Sequence, residues 1–173
     1  MRAVCVIKGE NIDGNIFFNQ INKESPVYIE GIINGLKPGI HAFQINHFGD
    51  LTNGCVSTGG YFNPNINNKE LSLISKAQPP TFTRNRRIFL GDLGNIVTNE
   101  NGRTLIHIKD NLISLFGENS VIGRSIVIHD DPNELFRTGN GIYNGNNNNN
   151  LNLINGLGCG IIGIALEKSR SYL

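Results

Sequence analysis

The side chains best suited to binding copper or zinc, imidazoles and thiols, are few in this sequence. The chain has 173 residues, with 4 histidines (His41, His47, His107 and His129) and 3 cysteines (Cys5, Cys55 and Cys159). Imidazole nitrogens suit copper and zinc, and thiolates suit zinc. No two cysteines form a C-x-x-C pair, which argues against a zinc ribbon. His41, His47 and Cys55 fall in one stretch, G-I-H-A-F-Q-I-N-H-F-G-D-L-T-N-G-C-V-S-T-G-G-Y-F-N-P, from Gly39 to Pro64. Phe43 and Ile45 alternate with Gln44 and Asn46, so a strand here points the two pairs to opposite faces. His41 shares the face of Phe43 and Ile45 and reads as a satisfied core histidine. The loop that follows carries Gly49, Gly54, Gly59, Gly60 and Pro64, and its backbone must turn sharply several times.

The elements that must position these residues are strands. Arg2–Lys8, Ile16–Gln20, Val27–Ile33, His41–His47, Thr104–Lys109 and Ser125–His129 read as short strands separated by turn signals, and no segment sustains a helical period. That pattern points to a single all-β domain, a sandwich or barrel, long enough for a sizeable core. Leu51–Leu90 reads mostly as loop, and Asp130–Gly156 as a second long loop with an asparagine run from Asn146 to Asn150. That run has no apolar content, so disorder is expected there. Lys plus Arg number 15 against 14 Asp plus Glu, so there is no electrostatic case for nucleic acid or a membrane surface. No apolar run approaches the ~20 residues that span a bilayer. The start, M-R-A-V-C-V-I-K-G, reads as a strand and not as a signal peptide. An intracellular, cytoplasmic protein is expected, and there lone thiols are more often buried than bridged. The heavy use of Asn and Ile suits an A/T-rich coding sequence, as in some large DNA viruses and protists.

The Gly39–Pro64 stretch resembles the metal-binding signature of the Cu/Zn superoxide dismutases, G-F-H-V-H-x-F-G-D-x-x-x-G-C-x-S-A-G-x-H-F-N-P. Three further segments are similar to that family: G-D-L-G-N at Gly91–Asn95, V-I-G-R at Val121–Arg124, and G-C-G-I-I-G-I-A at Gly158–Ala165. The resemblance implies an eight-stranded Greek-key barrel or flattened sandwich with two long loops. It covers a dismutase-like domain at 1–165 and leaves a tail at 166–173.

The ligands depart from the family pattern. Gln44 and Asn46 stand at the two strand copper histidines, Tyr61 at the bridging histidine, and Phe89 and, less closely, Lys69 at the zinc histidines. Only His129, at the fourth copper ligand, and Asp92, at the zinc aspartate, match. Amide oxygens are weak copper ligands, and a phenol with a reference pKa near ~10 resists binding as phenolate. Asp92 reads more simply as a turn former accepting backbone N–H bonds. Gly156 aligns with the arginine that orients superoxide in the family, and Arg137 is the only cation of that loop. His47 and His107 read as exposed non-ligands.

The resemblance also implies a Cys55–Cys159 disulfide, with Cys5 a free core thiol. It implies a homodimer through Phe48, Gly49, Ile122, Gly123, Ile161 and Ile164, and raises contact with a cellular Cu/Zn dismutase or its copper chaperone. The expectation drawn is a catalytically inactive dismutase homologue, not an enzyme. It would act through protein contacts, as a decoy or a structural virion component, and no cofactor is expected although copper and zinc are the family norm. The alternative is a divergent superoxide dismutase with a metal site rebuilt from His129, Asp92, His47 and other groups. A weaker reading is a loose metal buffer.

Overall fold

Residues 1–64, 89–130 and 156–166 of the computed structural model are described here. The strands are β1 (Arg2–Gly9), β2 (Ile12–Asn19), β3 (Val27–Asn34), β4 (Gly39–Asn46), β5 (Thr52–Cys55), β6 (Asp92–Thr98), β7 (Arg103–Asp110), β8 (Ser125–His129) and β9 (Gly158–Ile164). A 3-10 turn, Val56–Thr58, follows β5. Alternation dictates the faces. Ala3, Cys5 and Ile7 of β1 point inward with Ile16 and Phe18 of β2 and Val27, Ile29 and Ile33 of β3. Each fully buried aliphatic or aromatic side chain stabilises the fold by about 1.5–3 kcal/mol relative to exposure.

The strands close into a barrel in the order β1-β2-β3-β7-β6-β4-β8-β9, and every pair is antiparallel. The chain leaves β3 and enters β4 on the other side of the β6–β7 hairpin, which makes the connection a Greek key. The expected all-β, eight-stranded barrel is therefore the fold. No helix is long and apolar enough to cross a membrane among the described residues.

Three elements differ from the sequence reading, and one of them is β5, which lies where Leu51–Leu90 reads mostly as loop. β2 begins at Ile12 because Asn11 takes a positive φ of 59° and closes the hairpin early. β6 was hidden in the G-D-L-G-N motif. Its first half bulges against β4, between Ala42 and Gln44, so its alternation is broken where a strand pattern would start. Asn65–Arg87, Lys69, Arg137, the asparagine run and the tail beyond Leu166 lie outside the described residues.

β4 is the element that matters for the site. From His41 to Asn46 every residue is buried, whichever way its side chain points. The inner face meets the core through Phe43 and Ile45. The outer face is covered because the chain from Thr58 to Phe62 runs back along the end of β4. The bonds Phe62 N to Ile45 O (2.9 Å), His47 N to Gly60 O (2.9 Å) and Phe48 N to Thr58 O (2.9 Å) hold it there.

Candidate functional site

The two-residue period of β4 puts Gln44 and Asn46 on the covered outer face. β8 lies beside it with Ala42 opposite His129 and Gln44 opposite Val127, which makes Gln44 and His129 diagonal neighbours. The side chains form one continuous hydrogen-bonded chain. Gln44 Nε2 donates to His129 Nε2 (2.8 Å) and to Asn46 Oδ1 (2.8 Å). Asn46 Nδ2 donates to Thr58 Oγ1 (2.8 Å) and to Gly59 O (2.7 Å). Thr58 Oγ1 in turn donates to Cys55 O (2.6 Å). Both amide N–H groups of Gln44 and both of Asn46 are thus used.

This chain fixes the state of His129. An amide nitrogen only donates, so His129 Nε2 accepts and the ring proton sits on Nδ1. His129 is 8% exposed, and its Nδ1 has no hydrogen-bond partner among the described residues. Burial pushes its pKa down to about 4, so the ring is neutral at physiological pH.

Tyr61, Phe89 and Asp92 gather next to it. Tyr61 bridges to Asn46, and its ring stacks on Phe89 with centroids 5.2 Å apart. Gly91 holds the two segments together, donating to Phe62 O (2.7 Å) and accepting from Ile45 N (2.7 Å). Burial, with the nearby Asp92 charge, pushes the Tyr61 phenol well above its ordinary pKa. Asp92 Oδ1 accepts from Gly94 N (2.9 Å), and Gly94 has φ 87°, which a side chain would strain. Asp92 here braces the bulge between β6 and β4, the turn-forming role its motif suggested.

The other singled-out residues are placed as follows. His41 Nε2 bonds Lys37 O at 2.8 Å inside the barrel wall, while its Nδ1 lies 3.6 Å from Asp130 Oδ1. His107 is exposed beside Glu30. His47 is not exposed as expected but half-buried. It packs edge-on against Phe48 (4.7 Å) because the returning Thr58–Phe62 segment covers the end of β4. Burial, together with the Arg124 charge, lowers its pKa. Cys55 and Cys159 form the disulfide, with Cα atoms 5.7 Å apart, and Cys5 is a buried free thiol. Gly156, at the aligned arginine position, has no space for a side chain as it stands. A Cβ there would lie 2.4 Å from Val127 Cγ1 and 3.1 Å from Cys55 Cβ. Gly49, Gly123 and Ile161 come together, a Cβ on Gly49 lying 2.1 Å from Gly123 O and 3.3 Å from Ile161 Cγ2.

Thr58 is the site residue that the sequence reading passed over. It is fully buried, receives Asn46 and ties the amide chain to the backbone at Cys55. A signal for it was available, since the signature quoted above carries alanine where this chain has Thr58.

The residues at this locus do not fit a copper–zinc pair. The amide groups of Gln44 and Asn46 are held donor-first in hydrogen bonds, Phe89 offers no donor atom, and the Tyr61 phenol is held protonated. No group of three or more His, Cys, Asp or Glu residues able to hold a metal ion occurs among the described residues.

Comparison with known proteins gives the wider setting. The family model for copper/zinc superoxide dismutase (SODC) matches residues 12–162. The chain is 45% identical over 168 residues to superoxide dismutase (Cu-Zn) 5 of Dictyostelium discoideum, covering 95% of this chain and 99% of that protein. It is 41% identical over 141 residues to superoxide dismutase (Cu-Zn) 4 of the same organism, covering 81% and 86%. Two expectations are corrected by these relatives: that the chain is not an enzyme, and that no cofactor is expected. Both came from counting imidazoles at aligned ligand positions. That count describes one locus, whereas the likeness to proteins named as copper–zinc dismutases runs over almost the whole chain.

Proposed function

The chain belongs to the copper/zinc superoxide dismutase family, and from that membership we propose that it is a divergent superoxide dismutase. The reaction takes two superoxide anions and two protons to one hydrogen peroxide and one dioxygen. One superoxide is oxidised by one electron and the other is reduced by one. The observation that carries the reading is the 45% identity to a protein named as a copper–zinc superoxide dismutase, over 95% of this chain and 99% of that one. A bound redox metal would supply the one-electron cycle, which the side chains described here do not offer. The β4 locus does not fit such a metal, so no step is assigned to Gln44, Asn46, Tyr61 or His129.

The same reading includes a homodimer. Gly49, Gly123 and Ile161 adjoin on one surface, where Ile161 is 44% exposed, and Ile164 of the same strand is 74% exposed. Burial of these side chains against a second copy is part of the proposal.

The test is superoxide decay after pulsed generation, with the full chain loaded with copper and zinc and then dialysed. Catalysis that elutes with the folded chain and survives a chelator strong enough to silence free copper supports the reading. Decay no faster than in buffer with chelator refutes it.

A further inference from the structure

We infer that the outer side of β4 is closed by a built-in plug, and that any metal ion this chain takes up binds outside it. The plug has a polar half, His129–Gln44–Asn46–Thr58, and an aromatic half, Tyr61 stacked on Phe89. Gln44 is its positioning residue, because it masks His129 Nε2.

The direction of every bond in the polar half is fixed from its far end. Cys55 O and Gly59 O are backbone carbonyls and can only accept. Thr58 Oγ1 donates to the first, which turns its lone pairs toward Asn46. Asn46 Nδ2 uses its hydrogens on Thr58 Oγ1 and Gly59 O, so Asn46 must present Oδ1 to Gln44. Gln44 must therefore present Nε2, whose second hydrogen goes to His129. If the Gln44 amide flipped to offer its oxygen to a metal, that oxygen would face Asn46 Oδ1, acceptor against acceptor. A metal at His129 Nε2 would have to expel the Gln44 amide and leave buried N–H groups unpaired, a costly state away from water. Thr58, where the signature has alanine, completes the lock. In the aromatic half Phe89 offers no ligand atom and burial keeps the Tyr61 phenol protonated, and Gly156 has no space for an added side chain.

The inference goes beyond the dismutase reading and does not stand on it. Its test is nitrogen NMR of the imidazoles in the full folded chain during titration with zinc(II). His129 should show the neutral Nδ1–H tautomer with a bonded Nε2, and its signals should stay unchanged at several equivalents of zinc. In a Gln44→Ala variant, His129 should respond to zinc at a concentration at least tenfold lower than any response in the parent. A metal-type shift of His129 Nε2 in the parent at one equivalent overturns the plug, as does an Nε2–H tautomer. If the variant fails to fold, the parent's tautomer and its silence toward zinc still decide. Superoxide turnover with a silent His129 supports both proposals. No turnover with a silent His129 refutes the dismutase reading alone, and a responsive His129 refutes the plug alone.

Discussion

Asn46→Asp is the change that most sharply tests the buried amide chain. Asn46 is 2% exposed, donates to Thr58 Oγ1 and Gly59 O, and accepts from Gln44. Aspartate has nearly the same shape and keeps the acceptor. Once ionised it loses both donors and aims a charge at Gly59 O. The Thr58 hydroxyl can turn toward it only by abandoning Cys55 O. Each orphaned buried group costs about 1–3 kcal/mol, and an uncompensated buried charge about 3–5 kcal/mol. These costs overlap, because a carboxyl that takes up a proton escapes most of the charge penalty. The expected loss at pH 7 is therefore about 3–5 kcal/mol. Urea unfolding measures it as a midpoint lowered by about 1–2 M with an unchanged slope. The loss should shrink toward pH 4. The buried carboxyl has a folded-state pKa above its unfolded value, so its protonated form is favoured by folding and stability falls as pH rises. A loss below about 1 kcal/mol that does not change with pH would refute the directional hydrogen bonding of the site.

Four further outcomes follow from the same structure. His129 has its pKa lowered from 6.5 to about 4, so the unfolded chain takes up its proton first as pH falls. The parent should lose up to about 3 kcal/mol between pH 6.5 and 4, at ~1.4 kcal/mol per unit, and a His129→Gln variant should lack that slope in urea unfolding. Gly156→Ala places a Cβ against Val127 and Cys55, and overpacking of this kind should cost about 1–3 kcal/mol in thermal or urea unfolding. Reducing the Cys55–Cys159 bridge, which spans 104 residues, should cost about 2–5 kcal/mol. Cys5, buried with its thiol pushed up to about 12, should stay unreactive toward alkylating reagents until the chain unfolds.

The barrel was legible because its strands obey simple alternation. β1 and β3 announce themselves through Ala3–Cys5–Ile7 and Val27–Ile29–Ile33. β6 did not, because the bulge braced by Asp92 and Gly94 breaks the period where the strand begins. At the site, the side-chain chemistry of Gln44, Asn46, Tyr61 and Phe89 was readable residue by residue. What those residues do was not readable. Asn46 meets Thr58 twelve residues on, and Gln44 meets His129 eighty-five residues on. Both contacts depend on the loop folding back and on β8 pairing with β4. His47 was misplaced for the same reason, since only the returned Thr58–Phe62 segment covers it. The disulfide was legible through family likeness alone, for spacing does not select Cys55 and Cys159 over Cys5. The expectation of an inactive chain without cofactor erred by letting one locus stand for the whole molecule, against relatives that match along nearly its full length.

The most direct measurement is anomalous diffraction from crystals of the full chain soaked in zinc or copper. The expected map has no metal peak among Gln44, Asn46, Tyr61, Phe89 and His129, and the Gln44–His129 hydrogen bond remains in place. A peak about 2.0–2.1 Å from His129 Nε2, with the Gln44 amide displaced, would contradict it.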